Sequence, residues 1–453
     1  MALTTIKTGA IADDAVTADK VANAINTSIA TNTAKDLTAL SASNLTSGTV
    51  PDARFPATLP AASAANLTAV PAANITGTLP AISATNLTNV PAANITGTLP
   101  AISGANLTNL PASGKAANLV INGAMQVAQR GTSSTTSGYG SVDRFAVDFS
   151  GTDEAPTHAQ VDVASGTTPY TLGFRKALKA TNGNQTSGAG TSDKITIDYK
   201  FEAQDLAQSG WNYLSSSSFI TLSFWVKSSV AQNFFGRFQT IDGTQQNYPF
   251  ETGSLSADTW TKITKTIPGN SNLQFDNNNE FGLLLEICMF RGTDRTGSIA
   301  LNAWNAYATG TRTPDQTSTW YTTNDATFEI TGVQIEVGDT ATDFSHKLFS
   351  QELQLCKRYY ETWQPNLFCL QTWFMSLTTA KNQYMFEVEK RANPTCSTSG
   401  TFNNASGYAN TPSFDNITTQ GTSIISSLVS LSPNETIYLH NSSNALCKFD
   451  AEL

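Results

Sequence analysis

A mainly β, elongated trimeric fibre with a repetitive β-type shaft, a jelly-roll-like sandwich and a small β tip is the fold class that three features of this 453-residue sequence predict. The first is a tandem repeat in which Asn66-Leu-Thr-Ala-Val-Pro-Ala-Ala-Asn74-Ile-Thr-Gly-Thr-Leu-Pro80-Ala-Ile-Ser recurs almost unchanged from Asn86 to Ser103 and begins again at Asn106. The second is the alternation of apolar and polar residues in many short runs after Lys115. The third is the scarcity of helical spacing outside two short segments. Together they divide the chain into an N-terminal attachment segment (1–36), a shaft (37–114), a sandwich (115–348) and a short helix with a β tip (349–453).

In the attachment segment, Thr17-Ala-Asp-Lys-Val-Ala-Asn-Ala-Ile-Asn opens with a good N-cap and sets Val21, Ile25 and Ile29 four residues apart. One narrow apolar stripe suits a small helical bundle or docking onto a partner. The shaft repeats every 20 residues, with prolines alternating at offsets of 11 and 9 from Pro60 to Pro111, so two half-units make one period. No Asp, Glu, Lys or Arg occurs from Phe55 to Gly114. Each period offers only Leu67, Val70, Ile75, Leu79 and Ile82, or their equivalents, as an apolar set, too little to offset the entropy of ordering twenty residues. A lone strand also lacks neighbours for its backbone hydrogen bonds, so order is expected only through pairing with identical chains, most simply three. The Asn-Leu-Thr and Asn-Ile-Thr triplets match the glycosylation acceptor pattern, but their regular spacing assigns them to the repeat, with Asn and Thr bridging backbone groups at each turn. The alternative is a low-complexity linker.

In the sandwich, Ile220, Leu222, Phe224 and Val226 alternate with Thr221, Ser223, Trp225 and Lys227, and Phe281, Leu283, Leu285, Ile287 and Met289 repeat the pattern. Phe328 to Val337 alternates as well, but its phase slips at Gly332-Val333, the mark of a β-bulge. Such strands over about 220 residues predict two packed antiparallel sheets. Ser350 caps an expected helix from Gln351 to about Glu361, with Leu353, Cys356 and Tyr360 on one face, packed as a hinge. Tip strands are expected at Leu367–Met375, Tyr384–Glu389, Ser423–Leu431 and Thr436–His440.

Charged residues are 13% of the chain and the formal net charge is -9, which argues against phosphate contacts and so against a nucleic-acid partner. Five cysteines without a C-x-x-C pair read as buried free thiols, neither a disulfide framework nor a zinc site, and no metal or cofactor is expected. No stretch approaches the ~20 apolar residues of a membrane span, so no membrane insertion is expected. Met1–Ala30 lacks a secretory apolar core, consistent with folding in a reducing cytoplasm.

Asn118-Leu-Val-Ile-Asn-Gly-Ala-Met-Gln-Val-Ala-Gln-Arg130-Gly followed by Tyr139-Gly-Ser-Val-Asp-Arg144-Phe resembles the opening of a carbohydrate-binding-like domain of bacteriophage tail fibre proteins. Phe224-Trp-Val-Lys-Ser-Ser, Thr259-Trp-Thr-Lys, Asn302-Ala-Trp304 and Phe328-Glu-Ile-Thr-Gly-Val-Gln-Ile-Glu-Val-Gly338 are similar to its later strands, and Phe349-Ser-Gln-Glu-Leu-Gln-Leu-Cys-Lys-Arg-Tyr-Tyr360 to its closing helix. Leu3-Thr-Thr-Ile-Lys-Thr-Gly-Ala-Ile-Ala-Asp-Asp resembles a virion-attachment end. The resemblance implies a homotrimeric fibre in the virion tail, assembled in the host cytoplasm. Its N-terminus would sit on a phage tail or baseplate protein, and its distal domains would face a host surface polysaccharide or lipopolysaccharide.

A sandwich of this kind would bind sugar by stacking aromatic rings on pyranose C–H faces while polar side chains meet the hydroxyls. Trp304, Tyr307, Trp320 and Tyr321 read as loop aromatics, Asp294 and Arg295 as a nearby polar turn, and Tyr408 and Phe414 as part of a receptor-reading tip loop; Trp225 and Trp260 read as core. A depolymerase would need two facing carboxylates, and Glu286, Glu329 and Glu336 fall on the outward phase of strands, where solvated faces explain them. No nucleophile elbow, H-E-x-x-H or P-loop occurs, so the expectation is non-catalytic attachment, with a tailspike-type depolymerase or a structural fibre or adaptor as alternatives. Light scattering of the full-length chain is expected to give three times the mass of one chain; a monomer whose repeat is nonetheless ordered would contradict the shaft argument.

Overall fold

The computed structural model describes residues 118–364, 373–376, 379–403, 411–427 and 440–453, together with residues 25, 27, 30 and 31, which are helical. The shaft, Tyr408 and the rest of the attachment segment lie outside the described residues. Two compact units divide the chain, Met1–Ile102 and Ser103–Leu453, and the architecture below belongs to the second.

The sandwich strands, in chain order, are β1 (Ser133–Ser134), β2 (Ala146–Ser150), β3 (Thr157–Asp162), β4 (Lys176–Thr181), β5 (Lys194–Glu202), β6 (Phe219–Ser228), β7 (Asn233–Thr240), β8 (Gln246–Ser254), β9 (Thr261–Pro268), β10 (Phe281–Arg291), β11 (Asn305–Ala306) and β12 (Thr327–Val337). They form two six-stranded antiparallel sheets, ordered β1-β3-β4-β12-β6-β9 and β11-β8-β7-β10-β5-β2. The chain changes sheet between β1 and β2, β2 and β3, β4 and β5, β5 and β6, β6 and β7, β8 and β9, β9 and β10, and β11 and β12, so the two sheets form a β-sandwich by repeated crossing. Period-two alternation dictates the core: Ile220, Leu222, Phe224 and Val226 of β6 meet Ile195, Ile197, Tyr199 and Phe201 of β5 and Leu283, Leu285, Ile287 and Met289 of β10 in one buried cluster. Full burial of each such side chain contributes about 1.5–3 kcal/mol. The expected bulge is present, with the β12 register slipping between Thr331 and Gln334. It lets Phe328 and Ile330 before it, and Val333, Ile335 and Val337 after it, all face the core.

The outer faces are covered where their carboxylates lie. Glu286, Glu329 and Glu336 do occupy the outward phase, but all three are buried, correcting the sequence reading. Segments laid over both sheets exclude water there, so each carboxylate has a partner: Arg237 and Arg291 for Glu286, Lys227 for Glu329, Thr342 for Glu336.

One-turn helices α1 (Thr168–Thr171), α2 (Ala203–Ala207) and α3 (Thr319–Thr322) punctuate the sandwich, and α4 (Phe349–Lys357) leads out of it. The helix starts after Leu348, earlier than the expected Ser350 cap, and Tyr360 belongs to the strand that follows rather than to the helix face. Its buried Glu352 accepts from the backbone N–H of Asn122, pinning the helix to the first turn of the sandwich.

The tip contains β13 (Tyr360–Trp363), β14 (Trp373–Ser376), β15 (Thr379–Met385), β16 (Thr395–Asn403), β17 (Ser413–Asp415), β18 (Gly421–Ser427) and β19 (His440–Asp450), in sheets ordered β13-β19-β16 and β14-β15-β18-β17. Among the described residues its core contains Phe386, Phe402, Ile424, Ala445, Cys447 and Phe449. Ionic contacts hold it to the sandwich. Buried Arg144, stacked 3.4 Å over the Tyr359 ring, pairs with Glu452, while Arg130 reaches Asp450 at 3.0 Å and Glu452 at 3.3 Å. Arg358 grips Glu202 with two bonds of 2.7 Å, and Tyr359 donates to the same carboxylate at 2.6 Å. Among the described cysteines, Cys288, Cys356, Cys396 and Cys447 are free thiols, and all but Cys396 are buried.

Beside Glu286 on the second sheet stands Asp198, its directly opposed residue. Burial, then repulsion from Glu286 and Asp148, pushes its carboxyl up to about 7. Folded protein therefore keeps a proton that the unfolded chain releases from about pH 4 upward, so this group lowers stability as pH rises from about 4 to about 7. Asp198→Asn is expected to raise the melting temperature by at least about 2 °C at about pH 8 and to change it little at about pH 5, as thermal melts at the two values would show.

Candidate functional site

The outer face of the first sheet carries an aromatic cleft of about 200 Å³, lined by Leu172, Phe174, Ser223, Trp225, Lys262, Gly332, Thr342, Asp343, Phe344 and His346. Its floor follows from strand phase. Phe224 and Val226 point into the core, so Trp225 between them points outward, where it is half-buried; reading it as core was an error of face. Trp260 shares that outer cluster, with the Lys227 ammonium 5.2 Å from its ring. Across the strand pair, Trp225 faces Lys262 on β9 and Thr331 on β12.

The bulge shapes the rest. Gly332 sits there at φ +64, and a Cβ at this position would lie 2.6 Å from the Phe174 ring, so the missing side chain is what lets Phe174 lie down on the sheet. Phe174, Phe344 and His346 then pack as a trio with ring centroids 4.9–5.0 Å apart. The segment bearing the last two is fastened from below by β12. Gln334 accepts from the Ser345 N–H at 2.8 Å and donates to the Asp343 carbonyl, while the Glu336 carboxylate accepts from the Thr342 N–H at 2.8 Å and its hydroxyl at 2.7 Å. His346 Nε2 meets the Leu172 carbonyl at 2.9 Å, closing the ring of contacts.

Chemically the cleft combines mutually tilted aromatic rings with a polar rim. Lys262 and Asp343 on that rim are both exposed, and neither forms a salt bridge among the described residues. Its volume falls below the ~300 Å³ lower end for drug-sized ligands, which suits one ring of a longer polymer lying across the surface.

The residues singled out from sequence do not converge here. Trp320 and Tyr321 lie on α3 and are buried, Trp320 donating from Nε1 to the Thr327 carbonyl at 3.1 Å and Tyr321 from its hydroxyl to Asp193 at 2.9 Å. They are core and cannot stack on a ligand. Trp304 packs against Tyr248 at 5.2 Å and donates to the Pro268 carbonyl at 2.7 Å. Phe414 lies on β17, with its ring edge-on to Phe449 in the tip core rather than in a loop. Asp294 and Arg295 form a 3-10 turn on the segment that follows β10, and Tyr307 lies farther along it, its ring 5.5 Å from the Arg312 guanidinium. Tyr408 is outside the described residues. Sequence reasoning missed Phe174, Phe344 and His346, whose only signal was the bulge glycine that seats them.

No family model matches the sequence, and no curated protein does. Solved structures give distant likenesses. One is the enzymatically active domain of tailspike protein 4 of bacteriophage CBA120, 8% identical over 49% of this chain and 21% of that one, with a TM-score of 0.26. Another is the family 11 carbohydrate-binding module from Clostridium thermocellum in complex with a β-1,3-1,4-mixed-linked tetrasaccharide, 11% identical over 46% and 95%, TM-score 0.20. A third is the N-terminal cellulose-binding domain of Cellulomonas fimi β-1,4-glucanase C, 9% identical over 48% and 99%, TM-score 0.23. The chain spans about a fifth of the tailspike chain it matches. Likenesses this remote assign neither ligand nor activity.

Gly332→Ala should strain the bulge, at about 1–2 kcal/mol for a left-handed residue, and lift Phe174 from the sheet. Lower thermal stability together with a changed near-ultraviolet aromatic spectrum is the expected result; a spectrum like that of the parent protein would show that Phe174 does not depend on the missing Cβ.

Proposed function

We propose that this chain is a bacteriophage tail fibre protein that attaches the virion to a glycan on the host surface by non-catalytic binding. The observation that carries this reading is the cleft itself: half-buried Trp225 and Phe344 and exposed His346, seated on buried Phe174, supply ring surface for stacking, and Lys262, Asp343 and Thr342 supply polar groups at its edge. An aromatic face with hydroxyl-reading groups beside it is the chemistry that a pyranose ring requires.

Attachment without bond cleavage is supported by how the carboxylates are used. Glu286 is bound to two arginines, Glu329 to Lys227 and Glu336 to the Thr342 segment, so each is occupied in holding structure rather than poised across a gap for acid–base work. Assembly of three copies is supported by the apolar poverty of the repeat and by exposed Leu348 and Phe349 at the start of α4, with 70% and 54% of their surface open in the single chain. Three weak sites per fibre would gain strength by acting together on one surface. The attachment segment would be the part that meets the tail or baseplate.

The test is adsorption. Full-length protein should compete with phage for susceptible cells, and Trp225→Ala should weaken that competition by at least about tenfold, as expected when a stacking residue worth ~1.4 kcal/mol or more is removed. Undiminished competition by the variant would rule out the cleft as the adhesive site, and release of reducing ends from host polysaccharide would replace adhesion with depolymerisation.

A further inference from the structure

The outer face of the second sheet holds a different arrangement. Arg237 on β7 lies directly opposite Glu286 on β10 and grips it with Nε at 2.9 Å and Nη2 at 3.1 Å. Its Nη1 donates to Gln239 at 2.6 Å and Asn247 at 3.4 Å, so this guanidinium is fully committed. Arg291, at the end of β10, donates from Nη2 to the same Glu286 oxygen that accepts from the Cys288 thiol at 3.0 Å. One carboxylate thus serves two buried arginines. Arg312 adds a third cation from the covering segment, which is fastened to the sheet by Asn302 N–H on Pro249 O (2.8 Å), Tyr307 N–H on Gln245 O (3.0 Å) and Asn247 Nδ2 on Arg312 O (2.8 Å).

The cluster is left with spare donors and spare charge. Arg291 Nε and Nη1 and Arg312 Nε are buried without an acceptor, although the Arg291 side chain is only 1% exposed. Burial first, then repulsion from Arg237 and Arg291, lowers the pKa of Arg312. Asp198, the other carboxylate beside Glu286, has its pKa pushed up to about 7, chiefly by burial. Water could satisfy the open hydrogen bonds but would add no negative charge to the three guanidiniums. An oxyanion would satisfy both, because guanidinium forks match its geometry.

We propose that Arg291 and Arg312 form a binding site for an oxyanion, specifically the carboxylate, sulfate or phosphate group of an acidic saccharide. The saccharide part rests on the adhesion reading above, whereas the anion part does not. Arg312 is half-exposed and offers the way in, with the Tyr307 ring 5.5 Å away and Arg295 tied to it through a backbone hydrogen bond of 3.0 Å. Tyr307, Arg295 and half-exposed Arg312 therefore stand at one place on the surface, with Arg291 buried, on the sheet opposite to the aromatic cleft.

Calorimetric titration of the full-length protein at constant ionic strength, with sodium sulfate, sodium glucuronate and uncharged glucose as probes, tests this. Sulfate and glucuronate are expected to bind saturably and glucose not at all, and Arg312→Gln, at a half-exposed position that the fold tolerates more readily than Arg291, is expected to weaken both anions by at least about tenfold. Absence of saturable anion binding, or affinities that Arg312→Gln leaves unchanged, would overturn the site. Binding of sulfate without glucuronate would confine it to inorganic anions and overturn the saccharide assignment. Failure of the adhesion reading alone would look different: both anions would bind with the same Arg312 dependence while the protein failed to compete for cells.

Discussion

Buried Glu202, Glu286, Glu336 and Glu452 each need a cation or hydrogen-bond donors beside them, and the partner each finds determines where the covering segment lies. A buried carboxylate left alone would cost several kcal/mol, more than any single apolar contact in the sandwich can return. Glu202 therefore fixes Arg358 and Tyr359 at the exit of α4, Glu452 is drawn in to Arg144, and Lys390 meets Glu361 with both side chains fully buried. The first two pairings set the tip against the sandwich, and the third lies within the tip. Within the sandwich, Glu286 and Glu336 do the same for β7 and for the 342–346 segment.

The two outer faces solve the covering problem in opposite ways. On the first sheet a bulge displaces one residue, a glycine fills the displaced position, and aromatic rings settle into the space with a gap left between them. On the second, arginines fill the space and leave buried guanidinium donors without acceptors. One core supports both faces, because the inward residues of β5, β6, β10 and β12 are the same apolar alternation throughout.

Much of this was legible in the residues. Alternation along β6 and β10 fixed their inward sets, the phase slip at Gly332-Val333 located the bulge, and the Asn118–Phe145 motif proved to contain both Asn122, which bonds across its turn to Val127 and Asp143, and Arg144, the anchor for Glu452. What misled was inference about depth. Outward phase was equated with solvent for Glu286, Glu329 and Glu336, although Lys227 on the neighbouring strand and segments downstream of β10 and β12 close over them. The polar neighbours of Trp320-Tyr321 suggested a loop, yet one helical turn rotates both rings into the core, where Phe290 stacks on Tyr321 at 4.3 Å. Strand β16, Thr-Cys-Ser-Thr-Ser-Gly-Thr-Phe-Asn, shows no apolar alternation, and its pairing with β19 rather than its own pattern makes it a strand. The cleft draws on residues from 172 to 346, so no local motif could announce it.

The free sulfhydryls deserve a last look in chemical terms. Desolvation raises the pKa of Cys288 and Cys356 and moves Cys447 to about 12, so the nucleophilic thiolate is scarcely formed at neutral pH. Sulfurs kept protonated and shut away from peroxide or stray disulfides resist oxidation and cross-linking. Shielding by the packed interior, rather than covalent bridging, thus gives these parts of the protein durability in air.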